Sequence, residues 1–294
     1  MERLNPLNDF LFKKLFGDEK DPKLLISLLN AILDETIAVL TIEKEQLNRD
    51  TREEKLGVLD IKAKTELGKK INIEVQLLDQ KNMVPRTLFY WSKLFVEDFA
   101  AGSEYTELQK AVTINLLDFE LKELVNESYH TKYQLHESQS KGRLTDILEV
   151  HFIEFPKLEK MKMNVHNPLH RWLLFLQQDV SENLLEEVIQ MDAMVNKAED
   201  KLMKLSADPE TRRQYELRAK ALSDERSRMG EAREAGIEQG MKQGMKQGIQ
   251  QGMKMGILEM VKSLLETGMP LAEVAKHTPY TEEELRQLLR ENED

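Results

Sequence analysis

The sequence contains no cysteine among its 294 residues. Without cysteine, a chain has no disulfide scaffold, no thiol nucleophile and no thiolate metal site. It also lacks any run approaching 18 uninterrupted apolar residues, which a membrane-spanning helix requires. The first residues lack the basic, apolar and small-residue succession of a signal peptide. We therefore expect a cytoplasmic protein in a reducing compartment, without a membrane partner.

An excess of positive charge is also missing, since 42 Lys and Arg stand against 53 Asp and Glu, for a net charge of −11. This balance argues against a strongly basic nucleic-acid binder, because phosphate contacts need a positive face. It does not exclude a local basic groove. The 40% of apolar and 32% of charged residues are ordinary for a globular protein with a sizeable core.

The spacing of apolar residues predicts a succession of helices and strands. Helical spacing from Asp9 to Leu33, broken at Gly17, predicts two helices joined by a turn. Apolar, β-branched runs then predict strands at 38–42, 58–65, 71–78, 111–119 and 149–155, with a helix at 87–101 after Pro85. This order indicates an α/β fold in which helices flank a mixed sheet.

The pattern after Pro156 is helical, so we predict an all-helical C-terminal extension. The predicted divisions are an α/β core at 1–160, a helical extension at 161–228, a glycine repeat at 229–256 and a small helical tail at 257–294. The tail reads as three short helices, with Thr281 and Glu284 as a capping box. Three glutamates at the start of the last helix favour protein contact over reading of a DNA groove.

Glycine recurs at every fourth position from Gly236 to Gly256. In a helix these glycines would stack nearly along one face, where small residues let helix backbones approach closely. Each glycine also weakens a helix by about 1 kcal/mol relative to alanine, so a flexible linker is an equal alternative. The first interpretation predicts a homo-oligomer assembled through the C-terminal helices.

Two neighbouring strands are predicted to form a hairpin with one polar face. In both strands polar residues alternate with apolar ones, so the polar residues share one face. These residues are Asp60, Lys62, Lys64, Asn72, Glu74 and Gln76. The loop between the strands has glycine, Gly68, in its third place, where a left-handed conformation is usual. If Thr65 pairs with Lys69, Asp60 lies opposite Glu74, with Cβ atoms roughly 4.5–5.5 Å apart.

Two carboxylates that share one face repel each other unless a cation neutralises them. A divalent metal bound by oxygen ligands does so, and Gln76 would project beside that metal. The alternative is that Asp60 and Glu74 are solubilising charges near Lys62 and Lys64. The motif is an Asp, a Glu fourteen residues later and a Gln two residues after that. It is a weak motif by itself.

Segments along nearly the whole chain resemble the recombination-promoting nucleases, the Rpn-type transposase family of the PD-(D/E)XK nuclease superfamily. The similar segments are NDFLFKKLFG at 8–17, LDI at 59–61, IEVQ at 73–76, RTLFYW at 86–91, FPKL at 155–158 and the glycine repeat. The resemblance implies a restriction-endonuclease-like core in which Asp60, Glu74 and the backbone carbonyl of Val75 bind Mg²⁺ or Mn²⁺. Gln76 departs from the lysine of the superfamily, and an amide is neither a cation nor a general base.

The resemblance also implies roles for residues outside the hairpin. Asp9 matches an acidic residue that joins the metal site through water, although its position equally suits a helix cap. Lys13 is a candidate phosphate contact or a solvated helix charge. Arg86 and Tyr90 share a helix face, where the guanidinium could grip a DNA phosphate or pack on an aromatic ring. The six histidines show no ligand spacing, so we assign them no metal.

These observations predict a divalent-metal-dependent endonuclease that hydrolyses phosphodiester bonds of double-stranded DNA. The family suggests a role in recombination or mobile-element biology. One alternative is a catalytically weak DNA-binding or assembly protein that retains the nuclease fold. Another is a self-limiting nuclease directed against foreign DNA, with the C-terminal helices as its brake.

Overall fold

The computed structural model describes residues 2–43, 61–124 and 126–291. The chain divides into two compact units, Met1–Asp224 and Glu225–Asp294. The division lies within the polar stretch 223–230. No helix in the described ranges is long and apolar enough to cross a membrane.

Helices and strands are mixed along the first half of the chain, up to Glu154, and only helices follow among the described residues. The helices are α1 (Asp9–Phe16), α2 (Lys23–Leu33), α3 (Met83–Val96), α4 (Pro168–Leu176), α5 (Glu182–Met191), α6 (Ala193–Ala207), α7 (Pro209–Glu266), α8 (Leu271–Val274) and α9 (Glu282–Arg290). The strands are β1 (Leu40–Ile42), β2 (Ile61–Thr65), β3 (Lys70–Gln76), β4 (Ala111–Leu117), β5 (His130–His136) and β6 (Arg143–Glu154).

The strands form one six-stranded sheet in the order β1-β2-β3-β4-β6-β5. Three neighbouring pairs are antiparallel, β1 with β2, β2 with β3 and β5 with β6. The two central pairs, β3 with β4 and β4 with β6, are parallel. The predicted mixed sheet flanked by helices is therefore confirmed.

The β2–β3 hairpin has the register that its turn predicted. Ile61 pairs with Ile73, and the pairing continues to Lys64 with Lys70. The amide of Thr65 donates to the carbonyl of Lys69 at 2.9 Å. Gly68 has a φ of +84°, which a residue with a side chain rarely adopts. Asp60, the residue before β2, lies outside the described residues.

The two faces of β3 pack against different layers. Ile71, Ile73 and Val75 join the main hydrophobic cluster, to which α1, α2, α4 and α6 also contribute. The alternate residues of β3 face the other way, as the period of a strand requires, and their side chains meet α3. A smaller cluster with Met83, Val150 and Phe152 completes that second layer.

The sequence pattern missed one strand and shortened two elements. β5 was not predicted, because this edge strand buries only one of its seven residues, Thr131, and so lacks an apolar pattern. β6 begins at Arg143 rather than at 149, since its first half is largely exposed. α3 begins at Met83 rather than at 87, with Pro85 in the first turn, where a missing amide breaks no helical hydrogen bond.

The C-terminal residues form a second unit with its own apolar centre. Val261, Val274 and Leu285 are buried together there. The glycine repeat lies within α7, and the predicted capping box of Thr281 and Glu284 is present at the start of α9. The predicted division at residue 160 separates elements that share the main hydrophobic cluster, and the four-part domain scheme stays a prediction.

Candidate active site

Glu74 and Gln76 lie at the end of β3, on the face of the sheet that packs against α3. Glu74 is 2% exposed and Gln76 is half-buried. On β4, Asn115 pairs with Glu74 in register and is fully buried. The parallel pairing of β3 with β4 therefore places Asn115 beside Glu74 on the sheet, and the buried carboxylate needs partners for its charge.

The partners of Glu74 converge on one of its two oxygens. Gln76 Nε2 donates to Glu74 Oε1 in a short hydrogen bond. Arg86 Nη2 and Nε donate to the same oxygen at 2.7 and 3.2 Å. Within the described part of the chain no hydrogen bond reaches Glu74 Oε2. One oxygen is thus held in place, and the other is left for a further partner.

Gln76 is oriented by its contact with the carboxylate. A carboxylate only accepts hydrogen bonds, so the amide nitrogen of Gln76 must face Glu74. The amide oxygen of Gln76 is then directed elsewhere, as an acceptor or as a ligand for a hard cation. This fixed orientation is a property that a lysine at the same position would not have.

Arg86 and Tyr90 lie on α3 and share the helix face that their spacing predicted. The Arg86 guanidinium carbon is 5.2 Å from the centroid of the Tyr90 ring, within the range of a cation–π contact. The packed arginine is therefore confirmed, and the guanidinium in addition forms an ion pair with Glu74 at 2.7 Å. Its proposed grip on a DNA phosphate is not tested by these contacts.

A buried polar row beside Glu74 was missed in the sequence. Thr87 Oγ1 donates to Asn115 Oδ1 at 3.2 Å, and Asn115 Nδ2 donates to the carbonyl of His151 at 3.0 Å. These bonds fasten α3 and β6 to the strand that lies next to Glu74. The signal was present, because Asn115 is a strongly polar residue inside a strand that is otherwise mostly apolar.

The oxygen donors at this place suit a hard divalent cation, which prefers carboxylate and carbonyl ligands. Glu74 Oε2, with no hydrogen bond from the described residues, fits such a ligand. Val75, the third predicted ligand through its carbonyl, directs its side chain into the main hydrophobic cluster. The described residues contain no group of three His, Asp or Glu residues able to hold a metal, and Asp60 lies outside them.

Asp9 lies at the first position of α1 and has a partner far along the chain. Arg218 Nε donates to both of its carboxylate oxygens, at 3.0 and 2.9 Å, and Nη2 makes a further short contact. The N-cap of α1 is Asn8, whose side chain accepts from the amides of Phe10 and Leu11. Asp9 Oδ1 also accepts from the amide of Phe10, at 2.8 Å, so both residues contribute hydrogen bonds at the start of the helix. No sequence signal links residues 209 positions apart.

The cations near the predicted site are already engaged in ion pairs. Lys62 and Lys64 pair with Glu97 and Asp98, both at 3.0 Å, just beyond the end of α3. Lys13 is half-buried on α1, one helical turn after Asp9. Its proposed contact with DNA phosphate stays a prediction.

Two histidines meet elsewhere on the sheet although they are distant in sequence. His130 Nε2 and His151 Nδ1 are 2.8 Å apart, and His151 Nε2 is 2.8 Å from Glu149 Oε1. Burial raises the pKa of Glu149, but hydrogen bonds from His151, Lys110 and Lys132 outweigh it and hold that pKa well below its usual range. Burial and the nearby charges of His151 and Lys132 lower the pKa of His130 to about 4.

The mixed sheet, the hairpin with a buried glutamate and the helix that covers it correspond to a known family. The family model of the PD-(D/E)XK nuclease family transposases matches residues 6–232. The chain belongs to this family. The match includes every residue of the candidate site. No match was found among curated proteins or among solved structures.

Membership of the PD-(D/E)XK nuclease family transposases identifies a protein with a nuclease fold. The resemblance that the sequence motifs indicated is therefore confirmed. Within that fold, Glu74 is the buried carboxylate that the hairpin positions, Gln76 is the neighbouring amide, and Arg86 is the cation supplied by the following helix.

Proposed function

We propose that this protein is a divalent-metal-dependent endonuclease that hydrolyses phosphodiester bonds of double-stranded DNA. The observation that supports it most directly is the state of Glu74, a 2% exposed carboxylate with one oxygen held by Gln76 and Arg86. A buried charge with an oxygen left for another partner is a suitable place for a cation.

The proposed metal ligands are Asp60, Glu74 and the carbonyl of Val75, with Mg²⁺ or Mn²⁺ as the ion. Asp60 lies outside the described residues, and its place among the proposed ligands rests on the alternation of polar residues that the sequence predicts for the hairpin. The ion would supply a Lewis acid for the scissile phosphate and lower the pKa of a water. Asp9 is proposed to act at the edge of this site.

The chain's own residues position the reacting groups. Gln76 holds Glu74 Oε1 through its nitrogen, which leaves its amide oxygen to orient a water or a substrate group by accepting a hydrogen bond. Lys13 and Tyr90 are proposed to contact the DNA backbone. The proposed role of Gln76 is geometric, because an amide cannot act as a general base at neutral pH.

A second candidate is a DNA-binding or assembly protein with weak catalysis. The observation that favours it is that Arg86 supplies a positive charge to Glu74 through an ion pair at 2.7 Å, and the resemblance places Gln76 where the superfamily has a lysine. Binding of DNA without cleavage would distinguish this candidate from the endonuclease.

The test is the incubation of purified protein with supercoiled plasmid in Mg²⁺, in Mn²⁺ and in EDTA. The endonuclease nicks the plasmid with either metal and not in EDTA, and Asp60→Asn and Glu74→Gln each abolish nicking. Glu97→Gln is the matched control, because it removes an exposed carboxylate paired with Lys62. If both site variants cut like the wild type, the assignment is wrong, and DNA binding without any cleavage would support the second candidate.

A further inference from the structure

The guanidinium of Arg86 contacts the carboxylate that is proposed to bind metal. Two of its N–H groups, on Nε and Nη2, are directed at the same oxygen of Glu74. The Glu74 side chain is 3% exposed and that of Arg86 is 22% exposed. Tyr90 supports the guanidinium from the side, at 5.2 Å from its ring centroid. The contact is therefore built from three side chains and largely shielded from water.

A buried carboxylate without a counter-ion is strongly unfavourable. Arg86 supplies one positive charge to Glu74 and so stabilises the protein before any metal has bound. A divalent cation that binds beside the same carboxylate meets like-charge repulsion from the guanidinium, and this repulsion is weakly screened because the group is partly buried. The same arginine therefore favours the metal-free state and opposes the metal-bound one.

We propose that Arg86 is a resident counter-ion of Glu74 that sets the affinity of the site for divalent metal. This inference rests on the proposed function, since it concerns the same site. Arg86 is then a positioning residue and not the phosphate clamp that its sequence position suggested. It holds Glu74 Oε1 and thereby directs Oε2 toward the incoming cation, at the cost of weaker binding.

The geometry favours this role over a phosphate grip. The planar fork of an arginine matches one carboxylate or one phosphate at a time. Here Nε and Nη2 both contact Glu74, and the ring of Tyr90 lies against the guanidinium. To hold a phosphate with the same two donors, Arg86 would have to leave the buried charge of Glu74 uncompensated.

The test measures binding of Mn²⁺ in the absence of DNA, by calorimetry and by the metal-induced rise in Tm, on the full-length protein. Arg86→Gln removes the charge and is expected to lower the Tm of the metal-free protein. Its affinity for Mn²⁺ is expected to increase on the order of tenfold, because the competing cation is gone. The rise in Tm at a given Mn²⁺ concentration should be correspondingly larger than in the wild type.

Arg86→Lys is a second variant with an intermediate expected effect. It also tests the proposal if Arg86→Gln does not fold. Lysine keeps the charge but cannot reproduce the two-donor contact, so its Mn²⁺ affinity should lie between those of the wild type and Arg86→Gln. Arg171→Gln is the matched control, since Arg171 forms a comparable half-buried pair with Asp192 at 2.9 Å. It should lower the Tm and leave the Mn²⁺ affinity unchanged.

The outcomes separate this inference from the proposed function. If the wild type binds Mn²⁺ and Glu74→Gln does not, the metal site stands. Unchanged or weaker Mn²⁺ binding in the Arg86 variants would then overturn the counter-ion role alone. If neither the wild type nor any variant binds Mn²⁺, the metal site itself is wrong, and the inference is overturned together with it.

Discussion

The resemblance predicts that Gln76 stands where nucleases of this superfamily carry a lysine, and its surroundings indicate what an amide does there. Its nitrogen donates to Glu74 Oε1, a contact that a lysine ammonium also satisfies, because an ammonium is a donor of hydrogen bonds. The lysine would add a positive charge beside the proposed reacting phosphate. The position is therefore chemically compatible with either residue.

We predict that Gln76→Lys keeps or increases the nicking of supercoiled plasmid. The reason is that an ammonium retains a bond to Glu74 and stabilises charge that develops on the phosphate. The measurement is the initial rate of nicking in Mg²⁺, with the Tm as a check of folding. Gln76→Leu, which has no donor for Glu74, is the matched control and should be less stable and less active.

A folded Gln76→Lys protein that no longer cuts DNA would contradict this prediction. It would show that the oxygen of the amide, which lysine lacks, is needed at the site. Repeating the comparison in Mn²⁺ would establish whether the variant loses nicking through weaker metal binding or at a later step.

At the scale of elements, an ion pair between Asp9 and Arg218 connects the beginning of α1 to α7. The carboxylate of Asp9 is 7% exposed and the guanidinium of Arg218 is 20% exposed. Removal of one partner from such a pair leaves a buried charge without compensation, which is strongly destabilising. The ion pair therefore connects the first helix to a helix near the end of the same compact unit.

We predict that Arg218→Gln lowers the free energy of unfolding by about 3 kcal/mol, the magnitude expected when one partner of a buried pair is removed. The double variant Asp9→Asn with Arg218→Gln should recover part of this loss, since it also removes the uncompensated carboxylate. Denaturant unfolding followed by circular dichroism is the measurement.

Arg213→Gln is the control for this prediction, because Arg213 and Glu210 form an exposed pair on the same helix. Its effect should stay below about 1 kcal/mol. If Arg213→Gln and Arg218→Gln lower the free energy of unfolding equally, the buried pair stabilises the protein no more than the exposed pair does. If Arg218→Gln retains nicking while Asp9→Asn loses it, Asp9 has a role in the site besides its ion pair.

At the scale of the whole molecule, α7 presents an unusual surface in its glycine repeat. Beyond its chain neighbours and the adjacent backbone of its own helix, an added Cβ at Gly244 or Gly248 would meet no atom of the described residues within 4 Å. Met241, Met245 and Ile249, each directly after a glycine of the repeat, are exposed. Alanine is therefore sterically acceptable at both positions among the described residues.

We predict that Gly244→Ala combined with Gly248→Ala raises helicity and weakens the homo-oligomer that the glycine repeat predicts. Alanine favours a helix by about 1 kcal/mol per replaced glycine, while the new methyl groups obstruct close approach of two helices. Circular dichroism measures the first effect and light scattering measures the second.

Gly230→Ala is the matched control, because Gly230 lies in α7 before the repeat and is equally open. It should raise helicity without a change of mass in solution. An unchanged mass for the double variant as well would remove the repeat from the assembly interface.

Local patterns were enough to predict most of the sheet and the hairpin. The alternation of Ile71, Ile73 and Val75 with polar residues follows from the period of a strand, and Gly68 specified the turn and therefore the register. Edge strand β5 had no such signal, because a strand that is largely exposed does not need an apolar face. The family followed from short motifs spread along the chain.

The amino-acid sequence by itself determined that Glu74 and Gln76 share one face of a hairpin and that Arg86 and Tyr90 share one face of a helix. Only the tertiary structure decided that Arg86 forms an ion pair with Glu74, and that Arg218 does so with Asp9. Periodicity specifies which side of an element a residue occupies. It does not specify which charge from another element fills the space beside it, because packing of distant segments makes that choice.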